Sequence, residues 1–167
     1  GGIQTRVSAL IIRTLQKYPH AKITLLLYER KANEVIIPDD PRVSIVSFPG
    51  VATINVFGFK KKFWRFTTFQ LICWLYYHLS RKKPTHIVTF LNRFSFIIAL
   101  YNFAKKISGK APIFIINEPV IISEYLKRHE AGWWPIVITF SYKTANKIIV
   151  ATDSVKQDLI QHFRVGA

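Results

Sequence analysis

Three short apolar runs, "HIVTFL" (86–91), "PIFIIN" (112–117) and "KIIVAT" (147–152), are the strongest constraint on the fold. Each is too short for a helix and is followed by residues with helical apolar spacing. Runs of this kind without polar alternation mark strands covered on both faces, which are characteristic of parallel sheets. Two earlier runs, "KITLLLYE" (22–29) and "RVSIVSFP" (42–49), fit the same reading. Parallel strands need a crossover between them, and a helix supplies it. The predicted class is therefore α/β: a Rossmann-like, doubly wound parallel sheet with helices on both faces.

The helical stretches carry their own signals. Val7, Leu10, Ile11, Leu15 and Tyr18 recur at helical spacing, and Pro19 ends that helix. A basic and aromatic connector, "FGFKKKFWRF" (57–66), leads into a long helix reaching Lys83, before Pro84. The next helix spans 94–108, with Gly109 as its expected C-cap. Helices over 120–130 and 134–145 are separated by "AGWWP", and Asp153 or Ser154 is expected to cap a last helix over 154–163. The chain has 167 residues, enough for one domain with a real core, and 14% are aromatic, which argues against disorder.

Charge narrows the partners. Lys and Arg number 24 against 9 Asp and Glu, a formal net charge of +15. Such an excess attracts polyanions, either nucleic acid or an anionic membrane surface. One cysteine, Cys73, cannot form an internal disulfide; within its apolar stretch it reads as a core residue, not a nucleophile. The most apolar segment, "FTTFQLICWLYYHL" (66–79), is shorter than the roughly 20 residues a spanning helix needs, and His78 interrupts it. No signal peptide pattern opens the chain. His20, His78, His86, His129 and His162 show no metal spacing, so no metal or cofactor is expected. The absence of a P-loop and of a full GxGxxG argues against nucleotide hydrolysis and dinucleotide chemistry.

In parallel sheets ligands collect beyond the carboxyl ends of the strands. That rule singles out Asn92-Arg93, Asn117-Glu118 and Thr152-Asp153-Ser154, which follow the three defining runs. Gly1-Gly2 opens the chain directly before a helix.

At this point the chain resembles the N-terminal, acceptor-side domain of GT-B glycosyltransferases of family 4. "GGIQTRVSALIIRTLQ" resembles that family's Gly-Gly loop and first helix. "KKPTHIVTFLNRFSFIIALYNFAKKISGKAPIFIINEP" resembles its central strand–helix–strand run. "ANKIIVATDSVKQDLIQHFRV" resembles the last unit of the acceptor domain. The resemblance implies a strand before Gly1 and a nucleotide-sugar-binding domain after Ala167, so that 1–167 would be a single N-terminal domain, inactive alone. It implies retaining transfer of a sugar from a nucleotide-sugar donor to a glycan or lipid-linked acceptor.

The resemblance assigns residues, each with a plainer role beside it. Gly1 and Gly2 would touch the donor's diphosphate, since helix N-terminal N–H groups attract phosphate; a tight turn is the plainer role. Asn117 and Glu118 would form the catalytic strand end, where many family members have His. Glu118 would bond an acceptor hydroxyl or stabilise positive charge on the sugar, or simply cap the next helix. Asn92, Arg93, Thr152 and Ser154 would bind acceptor, or be solvated loop residues.

The basic-aromatic stretch suggests a docking surface at the cytoplasmic face of a membrane. Lys60, Lys61, Lys62, Trp64 and Arg65, with Arg81, Lys82 and Lys83 one helix later, would meet anionic headgroups. Trp133 and Trp134 would serve as a second anchor or as core. Two other classes compete: a basic nucleic-acid-binding module, which lacks any RNP, KH or zinc signature, and a non-catalytic subunit of a split glycosyltransferase.

Overall fold

The computed structural model describes residues 2–27, 38–48, 60–90, 92–128, 132 and 134–165; the side chains of residues 2, 3, 60–68, 92, 93 and 128 lie outside the described part. The chain divides into two compact units, Gly1–Leu71 and Ile72–Ala167. The fold is α/β and Rossmann-like, with parallel strands flanked by helices. The five described strands lie in two sheets, of two and three strands, where the sequence alternation reads as one.

The first unit holds α1 (Gly2–Lys17), β1 (Ile23–Leu27), β2 (Val43–Ser47) and the start of α2 (Lys60–Lys82). β1 and β2 pair in parallel from Ile23↔Val43 to Leu27↔Ser47. Both strands are half-buried, not fully covered as their apolar runs predict. The stripe of α1 is narrower than predicted: Ile11 and Leu15 are buried, whereas Leu10 and Tyr18 are exposed. Arg42 ties the end of α1 to the entry of β2. Its guanidinium donates to Pro19 O (2.8 Å) and forms an ion pair with Asp40. Hydrogen bonds from the Arg42 side chain and backbone hold the Asp40 carboxyl well below its usual range, at about 2.

The second unit continues α2 and adds β3 (His86–Thr89), α3 (Asn92–Ile107), β4 (Ile113–Glu118), α4 (Ile122–Arg128), α5 (Trp134–Thr144), β5 (Lys147–Val150) and α6 (Asp153–Phe163). β4 lies between β3 and β5, all parallel. Phe114 and Ile116 of β4 are essentially inaccessible and form the centre of a core with Ile98 and Ala99 of α3, Ile138 and Tyr142 of α5, and Leu159 and Phe163 of α6. Each fully buried side chain of that size contributes roughly 1.5–3 kcal/mol. Trp134 packs against this core, while Trp133 lies outside the described residues.

Two sequence expectations are corrected here. Cys73 is exposed. The buried positions of α2 are Leu71, Leu75 and Leu79, and Cys73 falls two residues from the first two, on the opposite side of a 3.6-residue turn. The N-cap of α6 is Thr152, ahead of both Asp153 and Ser154; its hydroxyl accepts from Val155 N–H.

No helix among the described residues is long and apolar enough to cross a membrane. Gly109 ends α3 as predicted, at φ +69°. Gly109 N–H donates to Lys106 O and Lys110 N–H to Lys105 O, the paired bonds of a Schellman turn. The space around Gly109 is open, so only the left-handed backbone opposes a side chain there. Gly109→Ala is expected to lower stability by about 1 kcal/mol, read as a reduced Tm with the far-UV spectrum unchanged.

Candidate functional site

The carboxyl end of β4 is the chemically distinctive place in the second unit. Along this strand Phe114, Ile116 and Glu118 are the buried positions. Period-two alternation therefore directs Glu118 inward, at a position where the pattern calls for an aliphatic side chain. The strand also runs further than expected: Glu118 pairs with Val150 of β5, so it is the last strand residue and not the start of a loop. Ala151 N–H donates to its carbonyl.

The Glu118 side chain is 2% exposed. Oε2 accepts a 2.8 Å hydrogen bond from the Tyr142 hydroxyl on α5, and the carboxyl also accepts from Val120 N–H. Burial disfavours the charged form and outweighs both bonds; the nearby Asp158 carboxylate acts in the same direction, and the pKa rises from 4.5 to about 7. Burial and the carboxyl together push the Tyr142 phenol upward, so it stays a donor. Glu118 is thus a carboxyl that holds its proton up to neutral pH.

Asp158 of α6 is the second buried acid. Its Oδ2 accepts from Ile122 N–H (2.9 Å) and Ser123 N–H (3.1 Å), capping α4 from a distant helix. Its Oδ1 lies 3.1 Å from Nδ1 of the exposed His162. The cap expected from Glu118 is therefore supplied by Asp158.

The other nominated residues divide by place. Asn117 precedes Glu118 on β4, pairs with Ile149 and is half-buried. Thr152 and Ser154 are exposed at the start of α6, on the same edge of the sheet, with the Thr152 hydroxyl engaged as cap. Asn92 and Arg93 form the first residues of α3, just beyond β3, and their side chains lie outside the described residues. Gly2 is the first residue of α1, and Gly1 lies outside the described residues. The backbone of Lys60, Lys61, Lys62, Trp64 and Arg65 is the start of α2, while their side chains are not described. Arg81, Lys82 and Lys83 are exposed at its other end.

Tyr142 and Asp158 are absent from the sequence-based site. Asp158 left a signal: Val155, Asp158, Leu159 and Phe163 form one buried stripe of α6, and a carboxylate among apolar residues at helical spacing marks a bonded acid. Among the described residues no group of three or more His, Cys, Asp or Glu is placed to hold a metal ion. His20, His86 and His162 are exposed, His78 is half-buried, and His129 lies outside the described residues.

Two expectations follow. The folded chain keeps the Glu118 proton between pH 4.5 and about 7, where the unfolded chain has released it. Stability from this group is full below the lower value and is lost as pH rises through the upper one, about 3 kcal/mol in all. Glu118→Gln should flatten that slope in denaturant titrations across the window and exceed the wild type in stability above it. Asp158→Ala should cost about 1–3 kcal/mol and speed amide exchange at Ile122 and Ser123.

Comparison of the chain with protein families, with curated proteins and with solved structures finds no match.

Proposed function

We propose that this chain is the acceptor-side domain of a GT-B, family 4 type glycosyltransferase. The full enzyme moves a sugar from a nucleotide-sugar donor to a glycan or lipid-linked acceptor with retention of configuration, at the cytoplasmic face of a membrane. The observation that carries the reading is the carboxyl edge of β3, β4 and β5. There a protonatable buried acid, Glu118, ends the central strand between Asn92 at the start of α3 and Thr152 and Ser154 at the start of α6. The three stretches that resemble the family support it, because they supply the same strand ends in the same order.

In this reading Asn92, Arg93, Thr152 and Ser154 bind the acceptor, and Asn117 and Glu118 form the end of β4 at which the sugar reacts. Glu118 acts from inside the core: its neutral carboxyl, bonded to Tyr142, fixes the end of β4 that presents Asn117 to the sugar. Gly1 and Gly2 offer backbone N–H groups to the donor's diphosphate. The donor itself is held by a further domain, and no resident cofactor is required. Arg81, Lys82 and Lys83, with Lys60, Lys61, Lys62, Trp64 and Arg65, meet anionic lipid.

The test combines binding and turnover. A polyprenyl-phosphate-linked disaccharide in detergent micelles should shift the amide resonances of Asn92, Glu118, Thr152 and Ser154, with empty micelles as control. Incubation of this chain with UDP-glucose or UDP-N-acetylglucosamine and that acceptor should release no UDP at an enzymatic rate. Turnover by the chain alone, or shifts that avoid all four amides, would overturn the reading.

A further inference from the structure

The opposite edge of the three-stranded sheet has a different chemistry. Between Asp40 and Glu118 the sequence contains no acidic residue. In the second unit each helix that precedes a strand ends at the amino edge of the sheet, because parallel strands force the crossovers to run antiparallel to them. Those helix ends are basic: Arg81 and Lys82 close α2, Lys105 and Lys106 close α3, and Lys143 lies in the last turn of α5. The chain entering β3 and β4 adds exposed Lys83 and Lys110, and β5 opens on exposed Lys147. These three entries are neighbours. Ile113 N–H bonds Thr85 O, Phe114 N–H bonds the Asn146 side chain, and Asn146 N–H bonds Phe114 O.

The described acids of the second unit lie elsewhere. Glu118 ends β4, Glu124 is in the first turn of α4 and Asp153 in the first turn of α6, all at the carboxyl edge, and Asp158 is buried. Several amino-edge cations meet neutral groups: Lys106 donates to Thr144 O, Arg81 to the Tyr77 hydroxyl, and Lys105 lies over the Tyr101 ring. Their positive charge is felt locally, since Lys82 and Arg81 reinforce burial in pushing His78 below its usual pKa.

Helix dipoles explain cations in the last turns. They do not explain Lys83, Lys110 and Lys147, which stand outside the helices, nor the exposed apolar side chains among them. Ile107 is 78% exposed at the very end of α3, Ile113 opens β4 at 44%, and Phe103 is exposed one turn above Ile107. Cations alone would suit any polyanion. Cations interleaved with exposed aliphatic and aromatic side chains suit an anionic lipid surface, where the charges meet headgroups and the apolar groups enter the interface.

We propose that the amino edge of the β3–β4–β5 sheet, centred on Lys83, Lys110, Lys147 and Ile107, is a docking face for an anionic lipid bilayer. This rests on the membrane part of the proposed function but not on sugar transfer, and it extends the docking surface from Arg81, Lys82 and Lys83 along the whole amino edge.

Co-sedimentation of the whole chain with phosphatidylcholine vesicles, with and without phosphatidylglycerol, tests it. The wild type should bind only the anionic vesicles. Lys83→Gln/Lys110→Gln/Lys147→Gln should bind them roughly 100-fold more weakly, since each cation contributes about fivefold near such a surface. Ile107→Ser should weaken binding roughly tenfold. All four side chains are exposed, and unchanged circular dichroism and Tm would verify folding. Lys60→Gln/Lys61→Gln/Lys62→Gln serves as the comparison. If only that comparison variant loses binding, membrane docking stands and this face is wrong. If the wild type binds neither vesicle, both fail. If Ile107→Ser binds vesicles normally while the lysine variant loses a double-stranded DNA oligonucleotide equally, the edge is a nucleic-acid face and the proposal is overturned.

Discussion

Parallel pairing of β4 between β3 and β5 is the constraint on which the second unit depends. A parallel strand cannot be reached by a tight turn, so each strand is followed by helix that returns the chain to the starting edge. The helices between strands consequently begin near one edge and end near the other. The first turns of α4 and α6 carry Glu124 and Asp153, and cations gather where α2, α3 and α5 end. The separation of Glu118, Glu124 and Asp153 from the lysines of the amino edge is a consequence of strand direction. Two edges of different chemistry then become available for two different kinds of ligand.

The same strand also sets the chemistry of its own end. Phe114 and Ile116 commit one face of β4 to the core, and the ladder to β5 extends that register through Glu118. The carboxyl cannot turn outward without breaking the alternation, so it is buried and takes a proton instead of a charge. Tyr142 can serve it only because α5 places Ile138 and Tyr142 on its core-facing side. Asp158 arrives in the same region on the buried stripe of α6 and supplies the acceptor that the short helix α4 lacks within itself. Two acids are thereby buried for different reasons. One finishes a strand and the other starts a helix.

Much of this architecture is legible from the sequence. The apolar runs at 86–91, 112–117 and 147–152 each contain a strand, and Gly109 ends the helix it was expected to end. These features follow from local chemistry, which a single sequence carries in full. Boundaries shifted where a neighbour decided them. β4 gained Glu118 because β5 extends to Val150, and α6 is capped by Thr152 because its backbone is extended and its hydroxyl reaches Val155 N–H. Cys73 was misread for a related reason. In a helix apolar on every side, composition does not say which residues face inward, and only the buried Leu71, Leu75 and Leu79 settle it.

The sequence by itself determined the α/β class, the order of strands and helices, the strong positive charge and the strand ends at which chemistry was to be sought. It did so because periodicity, capping and turn residues act over a few positions of chain. Tertiary structure alone decided that the strands form two parallel sheets, that Glu118 points into the core against Tyr142, and that Asp158 caps a helix from 35 and 36 residues away. It also gathered cations scattered from Lys83 to Lys147 along one edge. The reason is physical: pKa, burial and electrostatic field depend on which groups are brought within a few ångströms, and folding brings together residues that the chain keeps far apart.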